Sequence, residues 1–573
     1  MASTDSGSAS NGTIGATRQQ MWERLGSAPV DLLVIGGGIN GAGIARDATR
    51  RGLSVAVVDM NDLAFGTSSR SSKLIHGGLR YLEQYEVGLV FESVSERRIL
   101  MDLAPHLVSP LGFLFPVYKD SRRNLFVIQA GMWLYDGLSL FRSPKRHRML
   151  SPRDLETEEP ALRREDLKGA PLYYDCSTDD ARLTLETAID AARNGAIITT
   201  WAKVTQLLVE NGRVCGATVR DELTGATKDV RASAVINATG PWTDRTLALP
   251  RKGSDAPAPP RMLRTTKGVH IVVDRAKLPL NNAVVCFHPV DKRVLFAIPW
   301  GDRSYVGTTD TDDPGDPSRV HATREDVDYL IAASNAYFPE HTLTHADVIA
   351  TWAGLRPLID EGAGANESQV SREHKIVIGQ EGLITIAGGK LTTYRRMSIE
   401  VVDTAVRYLQ LSNGLAGRDI EPSRTEKAPL PGAEGWPDDD DATQVVAQVE
   451  QASNGTISNA IAAALTDQYG TRAIAIAALC AARPALASPL VPGRPEILAQ
   501  IEHAVREEMA ATVCDVLVRR TQLFFRDVDQ GLGCAERVAS HMGTLLGWDD
   551  ATRQRELQRY RDEVELSRHW RKG

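Results

Sequence analysis

The chain has 573 residues, 42% of them hydrophobic and 24% charged, with a net charge of −7. That length exceeds one core and points to about two to four domains of ordinary globular composition. The acidic balance offers no basic face for nucleic acid, and six cysteines without a CxxC pair exclude a zinc ribbon or small disulfide scaffold and suit a reducing cytoplasm.

The first 29 residues are rich in Ser, Gly, Ala and Thr and lack the apolar centre of a secretory signal. They read as a disordered tail running into a short helix. No run of about 18 apolar residues appears, so no membrane-spanning helix is expected. From Val30 the pattern changes. VDLLVI (Val30–Ile35) has the composition of a buried parallel strand, AGIARDATRRG repeats small residues at helical spacing, and LSVAVVD (Leu53–Asp59) is a second buried strand. Strand, glycine turn, helix and strand make a βαβ unit.

Its turn fits G-x-G-x-x-G as Gly36, Gly38 and Gly41, with Asn40 beside the third glycine. Gly36 permits the tight turn, Gly38 lets backbone approach a pyrophosphate, and Gly41 allows close packing of helix on strand. Asp59 ends the second strand, where a carboxylate accepts from a ribose hydroxyl. An acid there favours a free ribose over a 2′-phosphate. Two later strands, ASAVINATGPW (Ala232–Trp242) and EGLITIAGG (Glu381–Gly389), also end in glycine turns, at Gly240 and at Gly388-Gly389. The three junctions indicate one nucleotide-binding domain assembled from separated segments. GVHIVVD, RVLFAIPW and SYVGTTD read as an antiparallel sheet that covers a substrate. The proline-rich, acidic stretch Pro422–Asp441 reads as a linker, and the pattern beyond it is helical.

These elements predict an α/β protein in three parts. The Rossmann-like nucleotide-binding domain takes residues 30–105, 173–260 and 350–421. The antiparallel-sheet substrate domain takes 106–172 and 261–349, and the all-α C-terminal domain takes 442–573 after a linker over 422–441 and a disordered tail over 1–29.

The block FGTSSRSSKLIHGGLRYLEQYE (Phe65–Glu86) is dense in hydroxyls, glycines and basic residues, as suits a loop wrapped round a cofactor. Here the sequence resembles the FAD-dependent glycerol-3-phosphate dehydrogenases of the glycine-oxidase-like flavoproteins. IGGGINGAGIARDATRRGLSV, TSSRSSKLIHGGLRYLE, DDARL, NATGPW, KGVHIVV, GTTD, GLRPL and GGKLTTYR carry the resemblance from about Val30 to about residue 410. It implies oxidation of sn-glycerol 3-phosphate to dihydroxyacetone phosphate, with electrons passing through FAD to a membrane quinone. Cofactor contacts are then expected from Thr67, Ser68, Ser71, Ser72, Lys73, His76, Gly77, Gly78, Leu79, Leu391 and Thr392, beside the glycines, Asn40 and Asp59.

The substrate phosphate is a dianion, which guanidinium forks clamp better than lysine does. Arg80 in HGGLRY and Arg356 in GLRPL are the expected clamps, with Tyr81 adding a hydroxyl. Loss of the alcohol proton asks for a base, for which His270 in KGVHIVV is the first choice, and an arginine-stabilised alkoxide without a dedicated base is the alternative. Lys390, after Gly388-Gly389, sits where positive charge favours the reduced flavin or reaches the substrate phosphate. Asn124–Leu150 sets Phe, Trp, Tyr and Leu before Arg142, Lys145, Arg146 and Arg148. That is the pattern of a face resting on anionic lipid and equally of a buried helix before a solvated basic loop. A membrane surface on the inner face of the cell membrane, a quinone and a second copy of the chain are the candidate partners. Three rivals stand: an oxidase of the same family that releases peroxide, an NAD-dependent dehydrogenase, and a non-catalytic dinucleotide sensor.

Overall fold

A computed structural model describes residues 17–78, 86–121, 124–138, 145–254, 259–360 and 373–572. Two sheets and a helical C-terminal region make up the described chain. In the first sheet Val30–Ile35 pairs in parallel with Val55–Val58 on one side and with Thr227–Asn237 on the other. Ile384–Gly388 continues the parallel set beyond Asn237. The strand ends at Ile35, Asn237 and Gly388 therefore lie side by side, and the three glycine junctions share one edge. All six residues of Val30–Ile35 are buried, as a strand with helices on its faces requires.

Helix Ile39–Arg50 returns across this sheet and packs against helices Asp180–Arg193 and Tyr394–Leu411. Its approach to the preceding strand is close. A Cβ on Gly41 would lie 1.8 Å from the Gly36 carbonyl oxygen, and one on Gly36, at φ +110°, would lie 2.6 Å from the Ala238 oxygen. Only glycine fits at both positions.

The second sheet is antiparallel except where Ala283–Phe287 runs parallel to Ser109–Leu114. Leu263–Asp274 is central, with Arg303–Gly307 on one side and Val348–Ile359 on the other. This corrects the expected boundary at residue 350, because Val348–Ile359 pairs along its length in this sheet and not in the nucleotide-binding one. Its apolar run shows a buried strand but carries no mark of which sheet it joins.

The short helix expected at the end of the tail is Arg18–Arg24, so the tail expected over 1–29 is corrected from Thr17 onward. Thr17 and Gln20 form a capping box on helix Arg18–Arg24, Met21 is fully buried, and Arg18 grips Asp221 with two hydrogen bonds of 2.8 Å. The linker is likewise packed, since Leu430 is fully buried and the Gly432 N–H donates to Glu186 at 3.0 Å. After it the chain is helical to Lys572 and shares a hydrophobic core with the second sheet, in which Phe524 and Phe525 meet Trp352 and Tyr305. Substituting Gly41→Ala should destabilise the protein by about 1–3 kcal/mol through overpacking, measured by denaturant titration.

Candidate functional site

Between the strand ends of the first sheet and one face of the second lies a cavity of about 680 Å³, within the range of cofactor sites. The first sheet lines it with Gly36, Gly38, Asn40, Asp59, Gly240, Gly388, Gly389, Lys390, Leu391 and Thr392. Thr67, Ser68, Ser71, Ser72 and His76 close one side, and the second sheet contributes Gly268, His270, Thr308, Gly354 and Arg356.

Helix Ile39–Arg50 points its N-terminus into this space; its N-cap is Gly38, and the Ser68 hydroxyl accepts from the first N–H, that of Ile39, at 2.9 Å. A glycine-rich helix start is an anion cradle. Asp59 stands at its edge, with Oδ2 accepting from the Gly37 N–H at 2.6 Å and Oδ1 from the Asn61 N–H at 2.8 Å. Burial still pushes its carboxyl up to about 6, against the opposing pull of those two amides.

Gly388 and Gly389 have φ of +78° and +87°, and a Cβ on either would come within 2.5 Å of Glu373 or Met397. Lys390 follows them in a turn over Lys390–Thr393 that leads into helix Tyr394–Leu411. The Thr392 hydroxyl accepts from the His76 N–H at 3.2 Å and donates to the His76 carbonyl at 3.3 Å, which joins LIHGG to GGKLTT.

On the second sheet, period-two alternation aims Gly268 and His270 into the cavity. Gly268 lies opposite Gly354 and His270 opposite Trp352, while His270 faces Gly307 on the other side. A Cβ at residue 268 would meet Arg356 Nη2 at 2.6 Å, and one at residue 307 would meet the His270 ring at 2.1 Å. The glycines of KGVHIVV and GTTD thus make the space that Arg356 and His270 fill. Arg356 donates to Asp310 at 2.9 Å and to Thr308 Oγ1 at 3.2 Å. His270 stacks on Trp352 at 4.7 Å, and its Nε2 lies 2.9 Å from the Ser72 hydroxyl. Burial, then the charges of Arg356 and Lys73, hold His270 well below its ordinary range, so the ring is neutral.

Several sequence-predicted residues lie elsewhere. Lys73 is buried away from the cavity against Asp180 (2.6 Å), between the rings of Trp300, Trp352 and Phe525. Its charge belongs to the loop's scaffold because the first carboxylate of helix Asp180–Arg193 captures it. Ser71 bonds the same carboxylate at 2.7 Å, Ser68 accepts from the Ile39 N–H, and Thr67 donates to the Leu355 carbonyl, so these hydroxyls fasten the loop. Gly77 packs beneath Tyr135, and neither it nor Gly78 nor Gly41 lines the cavity. Leu79, Arg80, Tyr81 and Arg142 lie outside the described residues. The sequence reading missed Lys203, Val204, Trp242 and Arg245, which line the far end. NATGPW flags Trp242, but nothing local marks the others.

A dinucleotide cofactor fits what is present: the glycine cradle, the helix start with glycine as its N-cap, the carboxylate of Asp59, and a buried Trp242 Nε1 with no hydrogen-bond partner among the described residues. The class is that of dinucleotide-binding oxidoreductases whose second sheet covers the reacting end. Residues 31–395 match the family model of FAD dependent oxidoreductases, and residues 423–553 match the C-terminal domain of alpha-glycerophosphate oxidase. Glycerol-3-phosphate dehydrogenase 2 of Mycobacterium tuberculosis is 40% identical over 555 residues, 96% of this chain and 90% of that protein. The aerobic glycerol-3-phosphate dehydrogenase of Staphylococcus epidermidis is 37% identical over 551 residues, 96% of each. The crystal structure of glycerol-3-phosphate dehydrogenase from Bacillus halodurans complexed with FAD superposes with a TM-score of 0.78 at 32% identity, covering 97% of this chain and 98% of that one. The chain belongs to the FAD-dependent glycerol-3-phosphate dehydrogenase family, and FAD is its cofactor.

Because Asp59 titrates higher in the fold than in an unfolded chain, its contribution to stability is present below the ordinary carboxylate range and is lost as pH rises through about 6. Asp59→Asn should flatten that part of the stability curve, read from denaturant titrations across the acid-to-neutral range.

Proposed function

We propose that the protein oxidises sn-glycerol 3-phosphate to dihydroxyacetone phosphate and passes the electrons to a quinone. The observation that carries this reading is the convergence of Arg356 and His270, a guanidinium and a neutral imidazole, on one end of the cofactor cavity. The names of the relatives support the substrate.

Bound FAD supplies the acceptor for the hydride that leaves C2. Gly36, Gly38 and the helix start at Ile39 hold its pyrophosphate, Asp59 its ribose, and the Gly388–Lys390 turn its ring edge. Arg356, held in place by Asp310 and Thr308, offers its charge to the substrate phosphate or to the hydroxyl oxygen as its proton departs. His270 is uncharged and ready to accept that proton at Nε2, directly or through the Ser72 hydroxyl. A histidine held this low is a weak base, so proton removal depends on positive charge beside the alkoxide, which Arg356 and Lys390 supply. Arg80 and Tyr81 join the phosphate contacts in this reading.

For the acceptor, helix Leu125–Leu138 leaves Phe126 77%, Trp133 55% and Leu134 51% exposed, with Phe91 and Val87 exposed on the adjoining helix Val87–Leu103. Lys145, Arg146 and Arg148 follow the first helix in sequence. Aromatic and basic residues in this order suit an anionic lipid surface that holds quinone, which supports a peripheral position on the inner face of the cell membrane. Among the described residues no helix is long and apolar enough to cross a membrane.

Glycerol 3-phosphate should bleach the flavin spectrum without air, and turnover in quinone-loaded anionic vesicles should exceed peroxide release in air. Stoichiometric peroxide with no quinone reduction makes the protein an oxidase instead. Arg356→Lys should raise KM for glycerol 3-phosphate and lower kcat/KM by about 10²-fold, as loss of a charged bidentate contact does. An unchanged kcat/KM removes Arg356 from the site.

A further inference from the structure

The stretch RRTQLFF, Arg519–Phe525, takes no part in the chemistry above, yet it touches the back of the cofactor loop. That loop, residues 59–73, has two sides. Met60, Phe65, Thr67, Ser68, Ser71 and Ser72 line the cavity. Asp62 and Lys73 are instead met by the C-terminal domain, and Arg70 both lines the cavity and meets that domain.

Asp62 is fully buried and takes both arginines of the stretch. Arg519 Nε donates to Oδ2 at 2.5 Å, and Arg520 forks onto Oδ2 at 2.5 Å and Oδ1 at 2.9 Å. Asp515 takes the free end of Arg519 at 2.7 Å, and the Glu508 carbonyl accepts from Arg520 at 2.8 Å. The two adjacent arginines reach one carboxylate because Asp515–Arg520 is wound as a π-helix, a wide turn found at functional sites. Further along, Glu563 of helix Asp550–Ser567 lies 3.4 Å from Arg70, and the Phe525 ring lies 5.9 Å from Lys73 Nζ.

Each hold is short-linked to a group that faces the cofactor. The Asp62 carbonyl accepts from Phe65, and the Ala64 N–H donates to the Gly37 carbonyl within the glycine turn at 3.1 Å. Phe525 packs edge-on against Trp352 at 5.6 Å, and Trp352 carries the stacked His270. Trp352 Nε1 also donates to the Ser71 carbonyl at 3.1 Å. Moving RRTQLFF moves the cavity wall.

We propose that the C-terminal domain is a clamp on the cofactor loop, with Arg519, Arg520 and Phe525 as positioning residues, so that FAD binding and docking of this domain reinforce each other. Reciprocity follows from linkage: what the docked domain adds to FAD affinity, bound FAD adds to docking. A buried carboxylate shared by two arginines suits the part, since removing one partner leaves uncompensated charge inside the protein.

The test uses the full-length holoenzyme and two variants, Asp62→Asn and Phe525→Leu. FAD release on dilution is followed by the rise in flavin fluorescence. Protease cleavage within residues 442–573 is followed with and without excess FAD. Both variants should release FAD about tenfold faster or more, and excess FAD should slow cleavage of the C-terminal domain by a similar factor. Release within about twofold of the parent in both variants, or cleavage indifferent to FAD, overturns the proposal. If Asp62→Asn does not fold, Phe525→Leu decides alone: a lower thermal midpoint with unchanged FAD release leaves the stretch a structural role only.

Discussion

The site depends on one close contact, the backbone of helix Ile39–Arg50 lying against the strand that feeds it. Without a side chain at residue 41 the helix comes down on the Gly36 carbonyl, and its N-terminus is held over the strand ends. Thr227–Asn237 and Ile384–Gly388 are hydrogen-bonded in register with the same strand set, so their glycine turns arrive at the same edge. Three segments far apart in the chain thereby line one cavity. Asp59 stands at the same edge, part-buried, and two backbone N–H groups hold its carboxylate in place.

The second sheet obeys a similar rule with different residues. Gly268 and Gly307 leave vacant the volumes that Arg356 and His270 occupy on neighbouring strands. Paired strands share a face every second residue, so three short motifs separated by dozens of residues become one surface. Arg356 is held by Asp310 and His270 Nε2 by Ser72 of the cofactor loop, which fixes their direction before any substrate binds. The C-terminal helices share a core with this sheet and reach round it to the loop of the first. The cavity is therefore walled by the two sheets and their loops, and the C-terminal helices back the loop of the first.

Much of this was legible in the sequence because it depends on local chemistry. Positive-φ glycines, an apolar β-branched strand and an acid at a strand end are demands that a few consecutive residues must meet by themselves, and Gly36, Gly38, Asp59 and Gly388 meet them where they were expected. The helical C-terminus was readable for the same reason, as a change of period. Roles that depend on a partner were not readable. Lys73 looks like a cofactor ligand beside its serines until Asp180, more than a hundred residues away, captures it. Helix Arg18–Arg24 was readable as a short helix, but its fastening to the nucleotide-binding sheet by Asp221 and a buried place for Met21 was not.

The sequence by itself determined the class of cofactor, the βαβ unit that cradles it and the residue types gathered at the reacting end, because each is written as a short-range pattern of glycine, charge and burial. Only the tertiary structure decided which hydroxyls fasten the loop, which sheet Val348–Ile359 joins, and where RRTQLFF lands. Those outcomes are set by contacts between residues distant in the chain. Close packing makes such contacts specific, and no local pattern records them.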